Sequence, residues 1–144
     1  ILAGSRNRYL TVENDNFGFA SWVAANAEEL LLLGPGRHYG EWFGAGIGRK
    51  YGLPEKRFAL FNTHRWSDSE VRPPCCSVVP VLYQGPFSEA VIRDELIRLK
   101  NVGSVIAPGF MKPEGVVIFH AHANVLFKVT IEGDEVPKNS REKS

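Results

Sequence analysis

The sequence is short of several features that would fix its class at once. Its two cysteines, Cys75 and Cys76, are adjacent, too few and too close for a disulfide framework, and this usage suits a reducing, intracellular compartment such as the cytoplasm. No apolar run approaches the ~18 residues that a membrane-spanning helix needs, so no membrane partner is expected. Charge of either sign is not in excess: 17 Lys and Arg stand against 16 Asp and Glu, a net +1 with histidine neutral. Bulk charge therefore leaves no polyanion footprint, and any nucleic-acid contact must come from a local patch. No repeat of 20–50 residues is present, which excludes solenoids and propellers. A secretory signal pattern is missing, and the chain opens on Ile1 rather than Met, so it reads as a fragment. What is there is ordinary. With 44% apolar and 23% charged residues, the 144-residue chain suits one globular domain and not a disordered, collagenous or coiled-coil chain.

Punctuation by glycine, proline and capping residues divides the chain into elements. Arg8 to Val12 reads as a short strand. Asn16 is placed to cap a helix from about Phe17 to Leu33, closed by Gly34-Pro35-Gly36. Leu30 to Leu33 is apolar all round, which predicts burial on more than one side. Strands follow at His38 to Phe43, Arg57 to Trp66 and Ser77 to Tyr83, the last with Pro80 at an edge or bulge. Ser88 is set to cap a second helix, with Phe87 stapling onto Ile92 and a buried stripe of Val91, Leu96, Ile97 and Leu99; Glu95 and Arg98 fall on the wet side, and Gly103 marks the end. Val116 to Ala121 and Val125 to Ile131 pair around a turn at His122 to Asn124. Strand runs with two separated helices imply an α+β fold, largely antiparallel, over residues 1–131, with a polar linker or tail at 132–144.

Some tempting signals fail on chemistry. Gly44-Ala45-Gly46-Ile47-Gly48 continues into Arg49, so it is neither a dinucleotide fingerprint nor a Walker loop. His120 and His122 share one face of a strand, but nothing marks the third ligand that a zinc site needs. The adjacent cysteines have no histidine at zinc spacing and read as inert thiols.

Four segments are informative together. Gly4-Ser5-Arg6-Asn7-Arg8 puts a serine and guanidinium groups at the head of a strand, a placement suited to ribose and phosphate oxygens or to a plain basic turn. Tyr39-Gly40-Glu41-Trp42-Phe43-Gly44 sets one carboxylate among aromatics, between glycines that let a ligand approach the backbone; Glu41 is either exposed on its strand or a buried acid with a specific partner. Glu114 stands at the mouth of an apolar strand, where a carboxylate costs desolvation unless it meets a cation or donor, so it faces either a metal or ligand or simply a turn. Lys128 interrupts a strand otherwise fit for burial, facing either solvent or a ligand.

At these residues the sequence resembles the nucleotidyltransferase superfamily of ATP-dependent ligases, and within it the RNA ligases that seal nicks in duplexes. Ser5-Arg6 looks like the arginine motif that follows the nucleophile. Gly40-Glu41-x-x-Gly44 looks like the ribose-contacting glutamate motif, and Phe58-Ala59-Leu60-Phe61-Asn62 like the aromatic strand over the base. Glu114-Gly115-Val116-Val117 looks like the fourth motif, and Lys128 like the first lysine of the fifth. The segments follow the family's order across residues 4–131.

The resemblance implies an α+β nucleotidyltransferase (adenylation) domain, with largely antiparallel sheets and flanking helices around a nucleotide cleft. It implies ATP as donor, enzyme–AMP and RNA–adenylate intermediates, and Mg²⁺ or Mn²⁺ as the metal. The partner would be RNA bearing 3′-OH and 5′-phosphate ends, as in a nicked duplex. It assigns Arg6 and Lys128 to phosphate oxygens, Glu41 to the ribose, Phe61 to the adenine and Glu114 to the metal, all lining one cleft. Phe58 and Phe61 lie out of phase on their strand, so Phe58 is expected in the core. Two departures stand out: no lysine sits in the K-x-D-G or K-x-N-G context of the family's nucleophile, and Thr130 occupies the place of the second fifth-motif lysine, for which Lys138 is a distant substitute. A non-catalytic nucleotide- or RNA-binding module, a DNA ligase and a capping guanylyltransferase remain as alternatives.

Overall fold

The computed structural model describes residues 1–47, 53–108, 110–111, 113–121 and 125–131. The chain divides into two compact units, Ile1–Pro80 and Val81–Ser144. Among the described residues the architecture is α+β, as expected, with three small sheets whose strand pairs are antiparallel except one.

The first unit opens with a hairpin of β1 (Ala3–Gly4) and β2 (Tyr9–Leu10), closed by the Ser5 N–H donating to the Arg8 carbonyl at 2.9 Å. Alternation buries Ala3 and Leu10 and exposes Gly4 and Tyr9. The single helix expected from about Phe17 to Leu33 is instead α1 (Phe19–Ala25), α2 (Ala27–Leu30) and a 3₁₀ turn, Leu31–Leu33. It starts late because Phe17 and Gly18 are both left-handed, at φ 51° and 76°. Asp15, rather than Asn16, caps it: its carboxylate accepts from the backbone N–H of Ala20 at 2.7 Å and of Ser21 at 2.9 Å. The break falls at Asn26, whose side-chain amide donates to the Trp22 carbonyl already used by its own N–H. Gly34, at φ 80°, ends the run as expected. The leucine stretch is not buried all round. Leu30 and Leu33 are in the core while Leu31 and Leu32 are exposed, since residues three apart eclipse in a 3₁₀ turn.

The central sheet has the order β3 (Gly40–Gly44), β4 (Lys56–Leu60), β5 (Ser77–Val78), antiparallel then parallel. The strand expected to reach Trp66 stops at Leu60, because the Asn62 side chain accepts from the Arg65 N–H (3.2 Å) and caps α3 (Thr63–Trp66). β5 is shorter than expected: after the Val79 N–H donates to the Leu60 carbonyl, Pro80 has no N–H to give. Register pairs Trp42 with Phe58 and Glu41 with Ala59, so the sheet has two distinct faces. On one, Phe58 and Leu60 join the core of Leu10, Val23, Leu33 and Trp66, packed by Phe19, Trp22 and Trp42. The other carries Glu41, Phe43 and Ala59.

In the second unit, α4 (Glu89–Val102) begins as expected, with the Ser88 hydroxyl accepting from the Val91 N–H at 3.3 Å, and ends at Gly103, φ 97°. Its buried stripe is narrower than expected: Leu96 and Leu99 are buried, whereas Ile97 is exposed. Phe87 is exposed too, so the expected staple onto Ile92 gives it no burial. Glu95 and Arg98 pair one turn apart on the helix surface. β6 (Gly115–His120) and β7 (Val125–Thr130) form an antiparallel ribbon with Val117 opposite Lys128. The turn expected at His122 to Asn124 and the tail at 132–144 lie outside the described residues.

Candidate functional site

The first unit carries Arg6, Glu41 and Phe61. Arg6 lies in the tight turn between β1 and β2 and is exposed. Its neighbour Arg8 does not share that role: its guanidinium donates to the carbonyls of Asn14 (2.8 Å) and Asp15 (3.0 Å), tying the hairpin to the loop ahead of α1. Of the guanidinium groups expected to face a ligand from this turn, that of Arg8 is thus engaged within the protein.

Glu41 is half-buried in β3, opposite Ala59. Phe61 is half-buried one step beyond β4, where its N–H donates to the Tyr39 carbonyl at 2.9 Å and carries the antiparallel register one pair further. Side chains alternate, so Phe61 falls on the face of Ala59 and Glu41. Phe58 falls on the other, 7% exposed, with ring centroids 5.2 Å from Phe19 and 5.6 Å from Trp22. Phe58 is therefore a core residue, as expected.

The glycines flanking Glu41 were expected to admit a ligand, but the protein's own chain takes up both. A Cβ on Gly40 would stand 2.6 Å from the Phe58 ring, and one on Gly44, at φ 120°, would clash with the Glu55 carbonyl oxygen.

The second unit carries Glu114 and Lys128. Lys128 Nζ lies 2.8 Å from Glu114 Oε1, with side chains 20% and 40% exposed. Glu114 precedes β6, its carbonyl accepting from the Ile131 N–H at 2.9 Å, while Lys128 is anchored in β7. The acid that needed a cation and the lysine that interrupted an apolar strand thus satisfy each other. Thr130 follows on the face of Lys128; Lys138 is outside the described residues.

No group of three or more His, Cys, Asp or Glu that could hold a metal occurs among the described residues, and His122 lies outside them. Mg²⁺ needs less from the protein, one or two carboxylates with water and phosphate oxygens completing the shell, and the half-exposed Glu114 fits that donor chemistry.

Sequence reasoning missed Asp15, whose carboxyl is tuned well below its ordinary range. Desolvation works to raise its carboxyl, but the N–H groups of Ala20, Ser21 and Asn16 and the Ser21 hydroxyl outweigh it and hold the group at about 2. Its only sequence signal was an acid ahead of a helix start. The cysteines behave as inert thiols: burial, the Cys76 thiol and Glu29 push Cys75 up to about 12, and the free sulfurs stand 3.9 Å apart.

No helix among the described residues is long and apolar enough to cross a membrane. A family model described as RNA ligase matches residues 1–130, nearly the whole sequence. Comparison with curated proteins and with solved structures gave no match.

Proposed function

The chain belongs to the RNA ligase family, and from that premise we propose that it supplies the nucleotide-binding core of an ATP-dependent RNA ligase. The substrate is RNA with 3′-OH and 5′-phosphate ends held together as a nick. The observation that carries this reading is the two-sidedness of β3–β4: Phe58 fills the core, and Glu41 and Phe61 share the opposite face. A carboxylate and an aromatic ring on one face suit a nucleoside, the acid accepting from ribose hydroxyls and the ring stacking on adenine. Arg6 and Lys128 supply the cations that phosphate oxygens need.

Three transfers compose the reaction. A lysine amine attacks the α-phosphorus of ATP and pyrophosphate leaves. An oxygen of the RNA 5′-phosphate attacks the lysine-bound AMP, releasing the amine. The 3′-OH then attacks the activated 5′-phosphate, and AMP leaves as the new phosphodiester forms. No lysine of this sequence has an x-Asp-Gly or x-Asn-Gly context, so the nucleophile is assigned outside these 144 residues. What this chain contributes is positioning and charge: Glu41 and Phe61 fix the nucleoside, and Arg6 and Lys128 neutralise the phosphate oxygens. A divalent metal held at Glu114 would add Lewis-acid neutralisation of phosphate charge.

The test is metal-dependent ligation by the complete enzyme on nicked RNA and nicked DNA duplexes. Sealing of the RNA nick is expected, and Glu41→Ala should lower it about 10²-fold, the scale for losing one preorganised polar contact. Unchanged ligation by that variant, or sealing of DNA alone, refutes the reading. The 144-residue chain itself, incubated with ATP and Mg²⁺, should form no acid-stable lysine–AMP adduct. An adduct mapped by mass spectrometry to one of its own lysines overturns the assignment of the nucleophile.

A further inference from the structure

Cys75 and Cys76 take no part in the proposed reaction. Both are free, Cys75 half-buried and Cys76 6% exposed, and their sulfurs stand 3.9 Å apart. The backbone that carries them is tied at three points. The Cys75 N–H donates to the Glu29 carboxylate of α2 at 2.8 Å, the Cys76 N–H to the Pro73 carbonyl at 2.9 Å, and the Arg72 guanidinium to the Cys76 carbonyl at 3.2 Å. We infer that this pair is a chelating dithiol site for a thiophilic trivalent centre, of the class of arsenite and the organic arsenoxides. The inference stands apart from the nucleotide-site reading and needs nothing from it.

Spacing favours a bridging atom over a direct bond between the sulfurs. A disulfide brings its sulfurs to about 2.0 Å and joins residues whose Cα atoms usually lie about 4.4–6.8 Å apart, whereas neighbours across a trans peptide hold theirs at ~3.8 Å. One atom bonded to both sulfurs asks for less movement. Two bonds of about 2.3 Å, the thiolate–zinc length, meeting at a near-tetrahedral angle set the sulfurs roughly 3.7 Å apart. The observed 3.9 Å is close to that bridge and far from a disulfide. Structural zinc needs four ligands, and no group of three or more His, Cys, Asp or Glu that could hold a metal occurs among the described residues. An organic arsenoxide needs two sulfurs from the protein and nothing more.

Burial pushes both thiols up, Cys75 to about 12, so both carry their protons at neutral pH and each alone is a poor nucleophile. Capture uses them in turn. The half-buried Cys75 sulfur forms the first As–S bond while its proton goes to the arsenic-bound oxygen, which becomes a hydroxyl. The Cys76 sulfur then forms the second As–S bond, and its proton leaves with that hydroxyl as water. Arsenic stays trivalent throughout, so no oxidant or reductant is consumed. The second step is intramolecular, and its effective concentration exceeds that of any monothiol in solution.

The experiment treats the native 144-residue chain, whose only cysteines are these two, with one equivalent of phenylarsine oxide in excess monothiol and reads the intact mass. One phenylarsenic group per chain is expected, with one water lost, removable by a dithiol and not by the monothiol. Cys75→Ser, which changes the half-buried member of the pair, should weaken binding about 10²-fold or more, the scale on which a second tethered contact raises avidity. Alkylation supplies a second readout that needs no substitution. Arsenical-treated protein moved into urea should take up no iodoacetamide until the dithiol is added, and then two equivalents. An adduct equally tight in Cys75→Ser overturns the chelate, as does immediate double alkylation of the treated protein in urea. A native chain that stays unmodified while the urea-unfolded chain is captured shows that the fold closes the site, and overturns it as well.

Discussion

The two phenylalanines of one strand, Phe58 and Phe61, should fail in opposite ways when truncated. Phe58 is 7% exposed, meets the rings of Phe19 and Trp22, and fills the notch left by Gly40, where a Cβ would stand 2.6 Å from its ring. Phe58→Ala empties that notch, and the surrounding aromatics are too bulky to collapse into it. The loss should reach about 4 kcal/mol, within the usual range for phenylalanine to alanine in a core and a large part of a domain's total stability. Phe61 is only half-buried, and its structural tie is a backbone bond, its N–H to the Tyr39 carbonyl, which alanine keeps. Phe61→Ala should therefore cost the fold ~1 kcal/mol. On the proposed function it should cost AMP binding roughly 1–3 kcal/mol of stacking, a weakening of about 5- to 150-fold. Urea unfolding reads the first quantity, and titration calorimetry with AMP reads the second. Wild-type AMP affinity in a folded Phe61→Ala protein refutes the assignment of the base-facing side, and a Phe58→Ala protein as stable as Phe61→Ala refutes the assignment of the core side.

Three further outcomes follow from the geometry. The Asp15 carboxyl is held at about 2 in the fold against an ordinary 3.8, so its stabilisation is present above 3.8 and lost as pH falls towards 2; the stability gap between wild type and Asp15→Asn in urea melts should close across that window, and a gap independent of pH there contradicts the capping account. Gly40→Ala drives a methyl to 2.5 Å from the Ala59 carbonyl oxygen and 2.6 Å from the Phe58 ring, so it should destabilise by about 1–3 kcal/mol, and an unchanged urea midpoint would show that the notch is not needed. Cys75, pushed up to about 12, should react with iodoacetamide at pH 8 far more slowly in the native protein than in urea, and equal rates would contradict its burial.

How much of this was legible in the sequence depended on how local each cause is. The Ser88 cap and Gly103 end of α4 are set by residues within a turn of the boundary, and both were readable. So was the core side of Phe58. The start of α1 was not, because a carboxylate five and six residues away from the N–H groups it binds competes with the nearer Asn16, and two left-handed residues intervene. The stop of β4 was hidden for a similar reason: Thr63 to Trp66 has strand-like composition, and only the Asn62 side chain turns it into a helix. The Glu114–Lys128 contact needs the register of β6 against β7, which neither segment encodes by itself.

The glycines around Glu41 show where motif logic stops. Glycine at Gly40 and Gly44 correctly signalled that something approaches the backbone closely, but glycine carries no information on what approaches. Here the answer is the Phe58 ring on one side and the Glu55 carbonyl on the other, both parts of the same unit. The Gly-Glu-x-x-Gly spacing is thus explained by the packing of β3 on β4, and it lends Glu41 no weight as a ligand contact. The case for Glu41 must come from facing. Its side chain shares the sheet face with Phe61 and stands away from the aromatic core formed by Phe58, Trp42 and Trp22. That face is covered at Phe43 and Ala59, 4% and 0% exposed, and Glu41 is half-buried on it. Two substitutions that motif logic would treat alike should therefore differ. Gly44→Ala should damage folding with or without nucleotide, whereas on the proposed function Glu41→Gln should weaken AMP more than adenine alone. Equal weakening of both ligands would remove the ribose from the account of Glu41.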